Sequence, residues 1–98
     1  MLPKNRRPVH PGEIIREEYL EPLNMTQQQL ADALGVTRVR INEIILGKRS
    51  ITPDTAFRLS KYFNTSPDFW LNLQINVDMW DTFQLHQKDY DKIESLQK

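Results

Sequence analysis

The segment from Thr26 to Leu46 constrains the fold of this chain more than any other part of its sequence. Thr26 followed by Gln29 is a capping-box pattern, in which the threonine oxygen accepts a backbone N–H and the glutamine side chain reaches back. A helix is therefore predicted to begin there. Gly35 supplies the left-handed residue that ends this helix, and Thr37 caps another helix only two residues later. The sequence thus predicts two short helices that meet at a very tight turn.

The apolar pattern of these two helices is that of a helix-turn-helix. Such a motif needs a small residue where the helices meet, a glycine in the turn, and apolar residues on the inner face of the second helix. The outer face of that second helix is then free to enter the major groove of DNA. Five positions meet these requirements in order: Ala31, Gly35, Val36, Ile41 and Ile44. The pattern favours a DNA-binding motif over its alternative, a plain hairpin of two helices in a small bundle.

Prolines mark the starts of three further helices. Proline suits the first position of a helix, and Pro11, Pro53 and Pro67 each precede an apolar stripe of helical period. The fourth helix is expected to end near Asn64, and the fifth, the longest, is expected to run through the low-to-mid eighties. No alternating β pattern occurs anywhere in the sequence. The predicted fold class is therefore all-α, with five helices.

Large apolar residues follow one another along the fifth helix at spacings of three and four. We expect the first of them to pack on the fourth helix, and the later ones, from Val77 onward, to extend beyond what a small bundle can cover. An uncovered apolar stripe of this size usually marks an interface, so a homodimer is predicted. The predicted dimer contacts are Trp70, Leu73, Val77, Trp80 and Phe83.

The 98 residues have the length of one domain, and three regions are predicted within it. Residues 1–9 contain two prolines and no apolar period, and are predicted to be a flexible arm. Residues 10–87 are predicted to form the helix-turn-helix domain with its dimerisation helix. After about His86 the chain is polar, so residues 88–98 are predicted to be a frayed or weakly helical tail.

The charges are separated along the chain although they cancel overall. Thirteen Lys and Arg balance thirteen Asp and Glu, yet residues 36–62 hold six cations against two acids, a net of +4. A basic segment in a neutral chain is typical of a face that meets phosphates. On charge alone, a solvated helix face is an equally good interpretation.

The outward residues of the third helix are the candidates for reading bases. Arg38 suits a bidentate hydrogen bond to guanine, Asn42 suits adenine or a phosphate, and Val39 offers a methyl surface to thymine. Side-chain donors at the start of the second helix and after the third are placed to hold phosphates. The predicted DNA-binding residues are Gln27, Gln28, Thr37, Arg38, Val39, Asn42, Lys48 and Arg49.

Glu43 is the residue that fits least well in a DNA interface, because phosphates repel a carboxylate. Two arrangements would relieve this repulsion: a hydrogen bond accepted from cytosine N4, or a pair with Arg38 or Arg40, and we expect the pair. Arg40 and Arg58 themselves have two interpretations, as cations near the DNA backbone or as solvated surface charges.

Several classes of function are disfavoured by what the sequence lacks. It has no cysteine, which excludes disulfides and thiolate metal sites and fits a reducing compartment. His10 lies three residues before Glu13, but no further ligand shares their face, so His10 is interpreted as a local cap and no metal is predicted. No nucleophile, base and orienting group converge, so neither an enzyme nor a cofactor is predicted. The longest apolar run has three residues, so a cytosolic protein without a membrane segment is expected.

Beyond these features, four blocks of sequence resemble the HigA-type antitoxins of the lambda-repressor-like helix-turn-helix superfamily, sometimes called virulence-associated protein I. The blocks are HPGEIIREEYLEPL at 10–23, MTQQQLADALGVTR at 25–38, INEIILGKRSITPDTAFRLSKYF at 41–63 and TSPDFWLNLQ at 65–74. The resemblance runs from Arg6 to about Thr82. The first and last blocks are more specific than the helix-turn-helix, which countless repressors share.

The resemblance implies a homodimer that binds a pseudo-palindromic operator, represses its own operon and neutralises a HigB-type toxin, a ribosome-dependent mRNA endonuclease encoded beside it. It places DNA contacts at the eight positions given above and dimerisation on the helix from Pro67 onward. Val39 and Arg40 occupy the variable stretch of the recognition helix, so no operator sequence follows from it.

Two other functions stay open: a stand-alone repressor without a toxin, and a protein-interaction module that no longer binds DNA. The six cations of residues 36–62 argue against the second of these.

Overall fold

The computed structural model of the chain describes residues 6–96, and this part forms helices and turns without a β-strand. The helices are α1, Pro11–Ile14, continued by a π-helix, Ile15–Leu20; α2, Gln27–Leu34; α3, Arg38–Ile45; α4, Pro53–Phe63; and α5, Pro67–Asp91. When α1 and its π-helical continuation are counted together, these are the five predicted helices. The predicted all-α class is confirmed.

The predicted start signals act as caps in the structure. The Thr26 hydroxyl accepts a hydrogen bond from the backbone N–H of Gln29 at 3.0 Å, and the Gln29 side chain accepts one from the N–H of Thr26 at 2.8 Å. This is the complete capping box. Thr37, Thr52 and Ser66 each accept a backbone N–H from three residues further on. Gly35 ends α2 in the left-handed conformation, with φ of 72°.

The core joins all five helices around the inner faces of α2 and α3. The small residue of the motif, Ala31, is fully buried, and Ile41 and Ile44 are almost fully buried on α3. Trp70 of α5 closes the core from the other side, and its indole N–H donates to the Thr65 hydroxyl at 2.7 Å. The buried tryptophan therefore keeps a hydrogen-bond partner.

Helix α1 crosses the C-terminal end of α3 at very close range. A Cβ on Gly12 would collide with the carbonyl oxygen of Ile44 and the Cα of Ile45. Only glycine permits this approach, because its lack of a Cβ lets the two backbones touch. The start of a helix at Pro11 was predicted, but the backbone contact at Gly12 was not.

Helix α5 is longer than the sequence predicts. It was expected to fray after about His86, whereas it continues to Asp91. Side-chain contacts one and two turns apart support its last part: Phe83 stacks on Tyr90 with ring centroids 6.1 Å apart, and His86 bonds Asp89. The chain also has no glycine or proline after Pro67, so neither of the two residues least favourable in a helix interrupts it.

The two predicted flanking regions are described in part. Residues 1–5 of the arm and 97–98 of the tail lie outside the described residues. Residues 6–10 precede α1, and Arg7 among them is ion-paired with Asp81 of α5. None of the helices in residues 6–96 has the length and apolar character needed to cross a membrane.

Candidate nucleic-acid interface

Helix α3 presents its outer face to solvent because its inner face fills the core. Ile41 and Ile44 point inward, whereas Arg38 and Val39 lie on the exposed side, Val39 with 64 % of its surface accessible. An apolar side chain this exposed in the first turn of a helix has no packing role in the monomer. The first turn of α3 is therefore available to a partner.

Two of the predicted DNA-binding residues contact each other. The Asn42 side-chain amide of α3 donates to Oε1 of Gln27, the first residue of α2, at 3.2 Å. This bond ties the middle of α3 to the start of α2, so the two amides lie side by side at the edge of the exposed face. The neighbouring Gln28 is also exposed, and its amide donates to Asp32 one turn further along α2, at 2.8 Å.

Thr37 has the capping role predicted for it. Its hydroxyl accepts the backbone N–H of Arg40 at 3.1 Å and so caps α3. Within residues 6–96, Arg38 and Lys48 are exposed and form no ion pair with an acidic side chain. These two side chains are the candidates for cations that can turn to a phosphate or a base without first breaking a salt bridge.

Glu43 does pair with an arginine, but the predicted partner is wrong. Its Oε1 accepts a hydrogen bond from Nε of Arg49 at 2.9 Å and lies 2.7 Å from Nη2 of the same ion-paired guanidinium. The reason is the path of the chain: Gly47, with φ of 76°, turns it back over the end of α3. The backbone N–H groups of Lys48 and Arg49 then donate to the Glu43 carbonyl. Arg49, a predicted phosphate ligand, is thus already engaged, although about half of its side chain stays exposed.

Arg40 and Arg58 are held by Asp54 of α4, so neither is a free surface charge. Oδ2 of Asp54 accepts from Nη2 of Arg40 at 3.0 Å and from Nε of Arg58 at 2.9 Å. The hydrogen bond from Arg40 and then that from Arg58 hold the pKa of the Asp54 carboxyl below its ordinary value. Arg40 also donates to the Thr55 hydroxyl, and Arg58 to the carbonyl of Leu34 at 2.8 Å.

These pairs change the interpretation of the basic segment. Of its six cations, Arg40, Arg49 and Arg58 are paired with acids of the same segment. Of the +4 of residues 36–62, +3 lies on the other three cations, Arg38, Lys48 and Lys61, and the three paired arginines exceed their two carboxylates by +1. Because three of the six cations pair with Asp54 and Glu43, the basic segment favours a DNA face less strongly than the count of six suggests.

The predicted dimer residues divide into two groups. Trp70 and Val77 are buried within the monomer, with 0 % and 1 % of their surfaces accessible. The expectation that Val77 lies beyond the bundle is wrong, because α5 packs against both α4 and α1 and its inner face stays covered as far as this residue. A second chain therefore has no surface of Trp70 or Val77 to contact. Leu73 and Trp80 are half-buried, and Phe83 is exposed.

A second apolar row on α5 was missed. Ile75 and Met79 are 53 % and 54 % exposed, and with Phe83 they repeat every four residues. On a helix of 3.6 residues per turn, this row lies opposite Trp70 and Val77. The four-residue spacing of this row is present in the sequence, beside the larger side chains of Trp70 and Trp80.

His10 acts as the predicted local cap. Its Nδ1 accepts the backbone N–H of Gly12 at 2.9 Å, and the side chain is buried where α1 begins. Burial, followed by the charge of Arg7, lowers the pKa of His10 below its ordinary value. Among residues 6–96, no three His, Cys, Asp or Glu side chains are grouped as metal ligands would be.

A short pair of capped helices, a glycine turn and a second helix with an exposed outer face define a helix-turn-helix protein. The sequence pattern of the helix-turn-helix family matches residues 17–70. The chain belongs to this family, in the group that includes HigA antitoxins and virulence-associated protein I. The resemblance found in the sequence is confirmed. The family is one of DNA-binding regulators and antitoxins and is not enzymatic.

Individual relatives match most of the chain. Virulence-associated protein I of Dichelobacter nodosus is 51 % identical over 77 residues, 78 % of this chain and 71 % of the relative. Antitoxin HigA-1 of Vibrio cholerae is 39 % identical over 89 residues, 91 % of this chain and 84 % of the relative. The structure of Pseudomonas aeruginosa antitoxin HigA with the higBA promoter superposes with a TM-score of 0.88 at 39 % identity. That alignment covers 93 % of this chain and all of the HigA chain.

Proposed function

We propose that this chain is a cytoplasmic antitoxin that binds an operator in its own promoter, represses its operon and neutralises a HigB-type mRNA endonuclease. The observation that carries the DNA-binding part is the exposed first turn of α3, with Arg38 and Val39 outward, braced against α2 by the Gln27–Asn42 bond. A recognition helix must be both exposed and fixed, because each base contact depends on its orientation. A solved HigA relative with its promoter supports the same use of the motif.

The proposed DNA contacts are the eight predicted residues, in two roles. Arg38, Val39 and Asn42 would reach base edges, because they occupy the outward positions of α3. Thr37, at the N-terminus of α3, would lie beside the bases, and the other four would hold the DNA backbone: Gln27, Gln28, Lys48 and Arg49. Of these, Arg49 must share its guanidinium between Glu43 and a phosphate. We therefore expect Lys48 to contribute more to the salt dependence than Arg49.

We propose a homodimer, because two recognition helices about 34 Å apart can read the two halves of a pseudo-palindrome. We place the dimer contact on α5, because its apolar side chains remain exposed in the monomer. The contact surface proposed here differs in part from the predicted one. It keeps Leu73, Trp80 and Phe83, leaves out the buried Trp70 and Val77, and adds Ile75 and Met79. Ile75, Met79 and Phe83 lie on the side of α5 away from the bundle core, Trp80 lies beside them, and Leu73 packs at the edge of the core.

Two experiments test the proposal. Binding of the full chain to DNA from upstream of its own gene is measured as salt rises, with a scrambled fragment of equal length as control. Preference for the native fragment, with affinity falling steeply as counterions are released, supports an operator-binding repressor. Equal binding at every salt concentration contradicts it and favours a protein-interaction module.

The toxin partner is tested by co-expression with the small reading frame next to the gene. Growth that stops with that frame alone and recovers when the antitoxin is present supports neutralisation. Operator preference without such a partner favours the remaining alternative, a stand-alone repressor.

A further inference from the structure

We propose that Asp54 is a positioning residue for DNA recognition, which locks α3 against α4 and keeps Arg40 and Arg58 from binding phosphates. The inference rests on the proposed DNA-binding function and extends it to a residue outside the motif's outer face. The observation behind it is that one carboxylate oxygen, Oδ2 of Asp54, accepts hydrogen bonds from Arg40 of α3 and Arg58 of α4.

The Arg40 side chain ties α3 to α4 on the side away from α2. It leaves the first turn of α3 and bonds both Asp54 and Thr55, two neighbouring residues of the first turn of α4. On the opposite side, Asn42 bonds Gln27 of α2. The recognition helix is therefore held by polar contacts on both flanks, while its isoleucines anchor it underneath. Rotation of α3 about its axis would break one of these contacts.

The same carboxylate also limits the free positive charge next to the proposed interface. Arg40 is only two residues from Arg38, and its side chain is mostly covered by its contacts. Arg58 is held in place by Asp54 and by the Leu34 carbonyl at the end of α2. Free arginines bind any phosphate regardless of sequence, so they increase non-specific affinity. Pairing both with Asp54 favours discrimination over total affinity.

The chain contains a matched control for Asp54. Asp54 follows Thr52 and Pro53 at the start of α4, and Asp68 follows Ser66 and Pro67 at the start of α5. Both carboxylates lie at the same position relative to an N-cap and a proline, so their interaction with the helix dipole is equivalent. Within residues 6–96, Asp68 forms no salt bridge. Asp68→Asn thus reproduces the charge change of Asp54→Asn without releasing an arginine.

The test compares wild type, Asp54→Asn and Asp68→Asn on native and scrambled DNA over a range of salt concentrations. For Asp54→Asn, we expect tighter binding to scrambled DNA at low salt. The slope of log affinity against log salt should steepen by about 0.9 for each released arginine that contacts a phosphate. The ratio of native to scrambled affinity should fall about tenfold, comparable to one mismatched base pair. Asp68→Asn should match wild type in both slope and ratio.

A further variant, Arg40→Gln, tests the proposal even where Asp54→Asn fails to fold. If Asp54 neutralises Arg40, Arg40→Gln leaves the salt slope unchanged and lowers only the ratio of native to scrambled affinity. A slope shallower by about 0.9 would mean that Arg40 itself binds a phosphate, and would overturn the proposal. Identical slopes for Asp54→Asn and Asp68→Asn would overturn it as well.

These outcomes are separable from failure of the proposed function. Wild type without preference for the native fragment contradicts operator binding, whereas the slopes on scrambled DNA still decide whether Asp54 withholds the two arginines. Wild type that binds no DNA at any salt concentration overturns both.

Discussion

Arg7 donates two parallel hydrogen bonds to Asp81, from Nε to Oδ1 and from Nη2 to Oδ2, each 2.8 Å long. The pair joins the segment before the first helix to the last helix, across 74 positions of the chain. A bidentate arginine–carboxylate pair has a defined geometry as well as a charge attraction. It fixes the direction from which the N-terminal residues enter the bundle.

Asp81→Asn should cost less than about 1 kcal/mol of unfolding free energy at low salt, because about half of each side chain is exposed and solvent screens the pair. The difference from wild type should shrink as salt is raised. Urea unfolding at two salt concentrations measures it. Asp91→Asn on the same helix is the control, and an equal loss in both variants would contradict a specific role for the Arg7 pair.

Because His10 is buried as an unprotonated cap, we expect the stability of the fold to fall on mild acidification. Its Nδ1 must be unprotonated to accept the Gly12 N–H, and its pKa in the folded chain is below the ordinary value of 6.5. The unfolded chain therefore binds the proton more readily, and protonation favours unfolding. The stabilising contribution is complete above pH 6.5 and is lost as the pH falls from there toward the folded-state pKa. The charged groups around the imidazole are Arg7, Glu13, Asp78 and Asp81.

The measurement is urea unfolding between pH 5 and pH 8 for wild type and His10→Asn. Asparagine can also cap a helix but does not titrate. We expect the stability of wild type to decline below about pH 6.5 and that of the variant to decline less. Parallel curves for the two proteins would show that His10 is not the titrating group. The carboxylates with lowered pKa, Asp54 and Asp81, do not interfere, because they titrate below their ordinary value of 3.8.

The features of this structure that could be predicted from the sequence are those determined by residues close together in the chain. The capping box of Thr26 and Gln29, the left-handed Gly35 and the N-cap at Thr37 depend on neighbours three or four positions away. The helix-turn-helix spacing is likewise contained within twenty residues. Local physical chemistry therefore determined the helices and the exposed face of α3.

Contacts between distant residues were not predictable in the same way. Arg40 and Asp54 are fourteen positions apart, and their pairing depends on how α4 packs beside α3. The burial of Val77 depends on where the bundle ends, and the close approach at Gly12 on the angle at which α1 crosses α3. These are properties of tertiary packing, for which the periodicity of a single helix carries no information.

Trp80→Ala should weaken the dimer more than the monomer fold. The Trp80 side chain is half-buried on the outer side of α5, whereas Trp70 is fully buried in the core. Sedimentation velocity over a range of concentrations measures the dimer, and urea unfolding measures the fold. We expect Trp70→Ala to lose about 3–5 kcal/mol of stability as a large core truncation, and Trp80→Ala to lose much less. The exposed Lys88→Ala on the same helix is the control. An intact dimer in Trp80→Ala would contradict the proposed surface.

Arg38→Ala should abolish much of the discrimination between native and scrambled DNA while leaving the fold and the dimer intact. The side chain is exposed on the first turn of α3 and forms no salt bridge within residues 6–96, so its removal leaves no buried charge unpaired. A bidentate contact to guanine contributes about 1–3 kcal/mol of discrimination.

Lys61→Ala removes an equal charge from the exposed surface of α4 and is the matched control. Competition binding with the two DNA fragments gives the ratio for each variant. A reduced ratio in Arg38→Ala alone would identify a base contact, because a residue that binds only phosphate lowers affinity for both fragments alike. Equal ratios in wild type and Arg38→Ala would mean that the first turn of α3 does not read the operator.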